Sequence, residues 1–582
     1  MLDNLDFVII YHASLKDEAL RLLKHREQFS SLVGAAVEID QIYNEFSSGT
    51  KDPTSVRDFA RMLYSRNTRF KYLTLFGSAS YDYRYLNTKN KDLNLVPTYE
   101  TPESLDPIYG FPSDDYFGLL DNGEGENLNG KLDIAVGRII SRTLDEARIM
   151  VDKIIRYDTE PLTLGDWRLN NLFTADDEDG NTHFYDMDRI AIFNQEKNKN
   201  INQQKVYLDA YEQVSTPGGE RYPEVTKAIN DAIFQGTFVY AYMGHGGPTG
   251  LAQERVLQEP DIKVWDNFYK MPLMITATCT FTSFDDPSIT SAGNLTLLNK
   301  GGVIGLFSTV RPVYADANYI LTRDVFDQLY NIENGKHLTM GEILKRAKNK
   351  NGSSENTRKF MLFGDPSQTL AYPKLENEIL SINDKPLSQS PDTLRALQTV
   401  KIKGRVIQPG GNIVSDFNGI LNATIFDKEI TLKTRRNDPG SNVSSFNIQK
   451  NIIFKGSTEV KDGIWEFSFI IPKDINYSFG AGKISLYASN LKDLDAAGYT
   501  DHFIVGGFKS DTLLNDQPPV VNLFMNNDQF ANGGITDENP KIFAKISDDL
   551  GINITGNSIG HDLTAIIDQN SQSPIILNNY FK

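Results

Sequence analysis

The sequence predicts two α/β units, residues 1–164 and 165–373, followed by an antiparallel β-sandwich over 374–513 and the start of a further β domain over 514–582. Three observations carry this. Apolar runs too short for helices alternate with helix-period segments over the first two thirds, as in a mostly parallel sheet covered on both faces. From about residue 375 the pattern turns to short runs of period two separated by turn residues. A polar, proline-containing stretch, Leu514-Asn515-Asp516-Gln517-Pro518-Pro519, then separates a last β-rich segment.

In chain order, Phe7-Val8-Ile9-Ile10-Tyr11 is a strand, and residues 17–27 space Ala19, Leu22 and Leu23 along one helical face. Residues 36–39 form a strand, 54–65 a helix, and Tyr72-Leu73-Thr74-Leu75-Phe76 an apolar strand stopped by Gly77. After a loop-rich stretch over 81–130 comes Ile134-Ala135-Val136, then a helix over 144–157 entered through Arg142-Thr143. The second unit places strands at 171–175, 205–208, 237–242, 273–277 and 303–308. Its helices fall at 186–194, 222–235, 315–329 and 340–349, and Gly364-Asp365-Pro366 ends the pattern. The β region is read from runs such as Thr399–Gly404, Leu421–Phe426 and Trp465-Glu466-Phe467-Ser468-Phe469.

Composition removes several function classes. Lys plus Arg number 59 and Asp plus Glu 76, a formal charge of −17, which repels polyphosphate and argues against a nucleic-acid binder. Hydrophobic residues at 40 % and aromatics at 11 % supply several packed cores. No apolar run approaches the roughly 18–20 residues of a membrane helix. The single cysteine, Cys279, excludes an intramolecular disulfide and a thiolate zinc site. The first residues, Met1-Leu2-Asp3-Asn4, lack a basic and an apolar segment, so no signal peptide is visible, and the early strand is expected of an internal fragment.

The chemistry concentrates at two strand ends. Val239-Tyr240-Ala241-Tyr242-Met243 runs into Gly244-His245-Gly246-Gly247, and Met274-Ile275-Thr276-Ala277-Thr278 runs into Cys279. Open α/β sheets bring reactive groups together at the carboxyl ends of adjacent strands. A thiol needs a base to become a thiolate near neutral pH, and an imidazole is the usual one. Glycines around the histidine let substrate approach and offer N–H groups to a developing oxyanion. On pattern alone, a small buried cysteine and a structural histidine in a turn are the commoner readings.

More specific strings are Gly244-His245-Gly246-Gly247, Ala252-Gln253-Glu254-Arg255-Val256-Leu257 and Thr276-Ala277-Thr278-Cys279. Supporting strings are Gln41–Phe46, Leu75-Phe76-Gly77, Ser113–Gly118, Val136-Gly137-Arg138, Lys300-Gly301-Gly302 and Phe363–Ser367. Together they resemble the gingipain family of cysteine peptidases over residues 6–373, most of all its type IX secretion branch, which removes C-terminal sorting domains from cargo. The resemblance implies a caspase-like fold of two α/β subdomains followed by immunoglobulin-like sandwich domains. It implies Cys279 as nucleophile, His245 as general acid/base, and an oxyanion held by the N–H groups of Gly246 and Cys279. A histidine-orienting carboxylate is expected at Asp176, with Asp186 as the alternative, in a run (Asp176, Asp177, Glu178, Asp179) otherwise read as a solvated loop.

Further expectations come from the same resemblance. No cofactor is required for the chemistry, and a structural calcium is expected at Asp114, Asp115 and Asp121, beside Asn122-Gly123-Glu124, against the plainer reading of an acidic surface loop. Arg255 and Arg311 are expected in structural ion pairs, with recognition of cargo or glycolipid as the other role. The implied partners are cargo proteins with sorting domains, a PorV-like outer-membrane barrel and a lipopolysaccharide amine that accepts the acyl group. The implied location is the bacterial surface, at the outer membrane. Two rival functions stay open: a broad secreted protease cleaving at basic residues, and a non-catalytic scaffold.

Overall fold

The structure, a computed structural model, describes residues 4–86, 93–389, 391–509, 518–538 and 540–548, with short stretches between 552 and 581. Part of the expected loop-rich stretch and most of the 514–519 linker lie outside the described residues.

Two compact units result: residues 1–372 with 432–446, and residues 373–431 with 447–582. The first unit is organised by ten strands: β1 (Phe7–Tyr11), β2 (Gly34–Glu38), β3 (Tyr72–Phe76), β4 (Ala135–Ile139), β5 (Asn170–Ala175), β6 (Asn202–Tyr207), β7 (Val239–Met243), β8 (Leu273–Ala277), β9 (Gly305–Thr309) and β10 (Phe360–Phe363). They form one sheet in the order β2-β1-β3-β4-β10-β9-β8-β7-β5-β6. Strands from residues 1–164 and from 165–373 therefore lie side by side in a continuous sheet. β1–β4 are mutually parallel, and so are β5–β9. The halves meet at β10, which runs parallel to β4 and antiparallel to β9. The carboxyl ends of the two sets consequently open on opposite edges of the sheet.

Helices cover both faces: α1 (Lys16–Phe29), α2 (Ile39–Ser47), α3 (Pro53–Arg66), α4 (Leu144–Thr159), α5 (Thr182–Lys197), α6 (Pro223–Gln235), α7 (Ala315–Leu329) and α8 (Met340–Asn351). Their starts follow ordinary capping chemistry. Asp52 accepts the N–H of Thr54 ahead of Pro53, and Thr143 accepts that of Glu146, which bears out the predicted cap. β3, β7, β8 and β9 are buried along their whole length, which is why they read as unbroken apolar runs rather than alternating ones. The Gly364–Ser367 motif acts as an anchor for α1, because buried Arg26 pairs with Asp365 and with Asp158 of α4.

The second unit is all β. Its main sheet of eight strands closes on itself, since Leu375–Ile382 pairs in parallel with Asp495–Thr500, and a separate three-stranded sheet contains Asp392–Ala396 and Phe503–Phe508. The all-β region expected from the sequence is thus present, in a sheet whose strands close into a ring. The closure joins residues some 120 positions apart (375 to 496), a pairing that period-two patterning does not encode. Its core holds Trp465, Leu421, Leu486 and Val505. Within 514–582 the described residues include the hairpin of Val520–Met525 with Ile542–Ser547. Among the described residues no helix is long and apolar enough to cross a membrane.

Candidate active site

Three adjacent strands finish in register at one edge. Met243 of β7 is the partner of both Ala175 of β5 and Ala277 of β8. One residue on stand Asp176, Gly244 and Thr278, and one further stand Asp177, His245 and Cys279. The sheet thus delivers the predicted nucleophile and base to neighbouring positions of one carboxyl edge.

The backbone of His245 is held at both ends. Asp176 Oδ2 accepts its N–H at 2.7 Å, while its carbonyl accepts the Tyr242 hydroxyl at 2.6 Å and the N–H of Ala252 at 3.0 Å. Gly244 has φ +151°, and a Cβ there would stand 2.2 Å from the Cβ of Asp176. Only glycine lets the strand end approach the carboxylate that fixes the next residue. A Cβ at Gly246 would come within 2.6 Å of Thr278 Oγ1, so the histidine and cysteine loops are closely apposed.

The imidazole itself faces a different carboxylate. His245 Nε2 lies 3.1 Å from Asp179 Oδ2, and the same oxygen is 3.3 Å from His183 Nε2. The two imidazoles meet edge to face, their centroids 5.3 Å apart. Burial, reinforced by the His245 charge, pushes His183 below its ordinary pKa. Asp179, Gly180 and Asn181 all have positive φ (56°, 65° and 71°), a turn that aims the Asp179 carboxylate at the ring. Expectation and structure differ here: Asp176 holds the histidine's main chain, Asp179 holds its ring, and Asp186 reaches toward Arg189 at 3.4 Å instead. Asp179 belongs to the run read as solvated, and His183 was not singled out. Only the loop conformation brings them to His245.

Cys279 is half-buried, and its thiol points at the Val313 carbonyl at 3.8 Å. No hydrogen bond joins it to His245. Thr280, next in sequence, sits at φ +53°, a strained conformation for a β-branched residue. The turn is fastened by buried hydroxyls: Thr309 donates to the Thr278 carbonyl, and Thr282 donates to Ser308 at 2.8 Å. On the sulfur's side, buried Lys359 donates to the Pro312 carbonyl at 2.9 Å. Burial lowers the Lys359 pKa, while nearby Glu355 and Cys279 oppose that shift.

A cavity of about 300 Å³ opens beside His245, lined by Gly246, Gly247, Thr249, Gln253, Arg255 and neighbouring residues. Its lining reaches the histidine but not Cys279, and holds no carboxylate. Arg255 is exposed there, with φ +59° and no ion pair among the described residues, contrary to the structural pairing expected of it. Arg311 does pair as expected, with buried Asp285.

Two groups at this edge have metal-ligand spacing: Asp179 with His183 and His245, and the all-oxygen set Asp176, Asp177, Glu178 and Glu254. Burial, with the charge and hydrogen bond of Glu178, raises Asp176 well above the carboxylate range. Asp177 is pushed up to about 9 by burial and a hydrogen bond with Asp438, and Glu254 to about 7 by burial and the charge of Glu178. The expected calcium ligands are placed otherwise. Asp114 is gripped by buried Arg138, and Asp115 by Lys348 and Arg358, while Asp121 lies instead with Glu124 and Asp133. The oxygens of Asp114 and Asp115 are already neutralised by protein cations, so the trio does not form one site.

A family model described as Peptidase family C25 matches residues 2–371. The crystal structure of the Arg-specific cysteine proteinase gingipain R (RgpB) is 16% identical, covering 87% of this chain and 98% of that one, with a TM-score of 0.51. Dimeric latent PorU from Porphyromonas gingivalis is 27% identical, with 99% of this chain and 50% of that one covered and a TM-score of 0.41. The chain thus spans about half the length of PorU. A comparison with curated proteins finds no match. With the family's model running through both strand ends that carry His245 and Cys279, and the fold shared with gingipain R, the chain belongs to peptidase family C25, a family of cysteine peptidases.

Proposed function

We propose that the chain is a PorU-like cysteine endopeptidase that removes the C-terminal sorting domain of type IX secretion cargo and passes the new C-terminus to a surface lipopolysaccharide amine. The observation that carries the peptidase reading is the register of β7 with β8, which sets His245 and Cys279 at neighbouring positions within the family's region. The sorting-domain reading rests on the strings Gly244–Gly247, 252–257 and 276–279, through their resemblance to the type IX branch.

In this mechanism the Cys279 side chain rotates from Val313 toward His245, which takes the thiol proton. The thiolate attacks the carbonyl carbon of the bond preceding the sorting domain. The N–H groups of Gly246 and Cys279 receive the oxyanion, and the imidazolium gives its proton to the leaving amine, releasing the sorting domain and leaving a thioester. An incoming amine, giving up a proton to His245, attacks the thioester to form an amide and expels the Cys279 sulfur, which is reprotonated to the thiol; water in its place gives simple hydrolysis. Asp176 positions the His245 backbone and Asp179 supports the imidazolium. Location at the cell surface and docking on a PorV-like barrel belong to the same reading.

A broad protease selecting Arg or Lys is the second reading. A basic side chain calls for an acidic pocket, whereas the cavity beside His245 carries Arg255 and no carboxylate, which favours the first. The test is intact mass spectrometry of a cargo protein after incubation with this chain or its Cys279→Ala variant, with and without a polyamine or glycolipid acceptor. Loss of the sorting domain with the wild type alone, plus an acceptor-sized adduct, is the expected result. Cleavage at basic residues of cargo and unrelated proteins alike would replace it with the second reading. A wild type that leaves the cargo intact would favour a scaffold.

A further inference from the structure

His183 stands out among the buried groups of the catalytic edge. It lies on the first turn of α5, is 5% exposed, and neither of its ring nitrogens has a hydrogen-bond partner. Its Nε2 faces Asp179 Oδ2 at 3.3 Å, and the same oxygen is 3.1 Å from His245 Nε2. Ligand atoms of Asp179, His183 and His245 all lie within 4.8 Å of one another. Buried polar groups are normally partnered, and imidazole is the commonest metal ligand, so an aimed but unpartnered imidazole beside a second one calls for an ion.

We propose that Asp179, His183 and His245 form an inhibitory site for one divalent transition ion of the zinc type. Two imidazole nitrogens with one carboxylate oxygen suit zinc, whereas calcium and magnesium take oxygen ligands alone. Tetrahedral zinc holds such atoms about 2.0–2.2 Å away, which sets them about 3.3–3.6 Å apart. The two spacings across Asp179, 3.1 and 3.3 Å, are already close to that edge. The side chains of Asp179 and His245 are 58% and 39% exposed, so the ion enters from solvent and water completes its shell. Glu178, which with Asp176 and His245 forms another group of the same spacing, adds negative charge beside it.

The ion's effect on chemistry rests on the peptidase reading, whereas the site itself does not. A neutral imidazole that gives its Nε2 lone pair to a metal keeps its proton on Nδ1. His245 then has no lone pair with which to take the thiol proton of Cys279. Asp179 is drawn to the ion at the same time and no longer supports an imidazolium. The bound ion therefore holds the peptidase silent, and its loss restores the base. Cys279 lies outside the group, its thiol turned to the Val313 carbonyl at 3.8 Å, which separates this site from an ion bridging thiolate and imidazole.

The test is calorimetric titration with zinc of the chelator-stripped full chain carrying Cys279→Ala, so that no thiol contributes. One saturable event is expected, undiminished by excess calcium and weakened at least tenfold by His183→Phe and by Asp179→Ala. Circular dichroism checks folding, and should His183→Phe misfold, the exposed Asp179→Ala decides alone. In the chain with Cys279 intact, zinc should slow modification of the thiol by a peptidyl acyloxymethyl ketone at least tenfold, a chelator should restore it, and His183→Phe should lose most of the inhibition. A thiol unreactive even without zinc would defeat the peptidase reading and leave the calorimetry to judge the site. No saturable event, displacement by calcium, unchanged affinity in either folded variant, or zinc binding that leaves a reactive Cys279 unslowed would overturn the proposal.

Discussion

Asp176 and Asp179 make separable contributions to His245, and substituting each tests the geometry. Asp176→Ala removes the acceptor of the His245 N–H, a 2.7 Å bond at a residue 1% exposed. A buried N–H left without a partner costs about 1–3 kcal/mol, so if the loss falls on dyad alignment the rate drops about 5- to 150-fold. Asp179→Ala removes a 3.1 Å contact between side chains 58% and 39% exposed, where solvent screens the pair. About 1 kcal/mol or less is at stake, roughly a fivefold loss at most. Asp176→Asn supplies a rescue, since an amide can still accept from His245 and donate to Glu178. The assay is the second-order rate of Cys279 modification by a peptidyl acyloxymethyl ketone across pH, with circular dichroism and thermal midpoint alongside. Asp176→Asn should stay within a few-fold of wild type while Asp176→Ala falls furthest. A larger loss in Asp179→Ala than in Asp176→Ala would refute the assignment of backbone and ring roles.

Other consequences follow from single contacts. Gly244→Ala drives a methyl into Asp176 at 2.2 Å and should reduce modification of Cys279 more than tenfold while the chain stays folded, as read by the same probe and by circular dichroism. Arg255→Glu reverses the one exposed guanidinium lining the cavity. It should raise KM for substrates with acidic residues near the cleaved bond and lower it for basic ones, measured on a matched peptide pair. His337, stacked on Tyr372 at 3.8 Å, is lowered by burial to about 4. Its folded-state pKa lies below the unfolded value near 6.5, so its stabilisation is complete above that value and fades as pH falls from about 6.5 to 4, by no more than about 3 kcal/mol. His337→Phe should flatten that part of the pH–stability curve in urea titrations.

The juxtaposition of His245 and Cys279 was legible because both residues follow fully buried strands, whose unbroken apolar runs stop abruptly at Gly244 and Thr278. Parallel pairing then placed them without any need for loop detail. β10 was missed: Phe360-Met361-Leu362-Phe363 follows Arg358-Lys359, and four apolar residues bounded by charge and glycine do not announce the antiparallel seam between two parallel sets. The ring contact of Asp179 depends on three successive left-handed residues, which no local pattern among so many acids reveals. Asp114 and Asp115 looked like calcium ligands because their partners Arg138, Lys348 and Arg358 lie 24 to 243 residues away.

The proposed peptidase chemistry requires Cys279 to be a nucleophile activated by His245. Its most direct measurement is intact mass spectrometry of the chain after brief exposure to a peptidyl acyloxymethyl ketone, which reacts with activated thiolates. One adduct on Cys279 is expected, formed at least a hundredfold more slowly in His245→Ala and absent from Cys279→Ala. Equal labelling of the wild type and His245→Ala, or no labelling of Cys279 in the wild type, would contradict it.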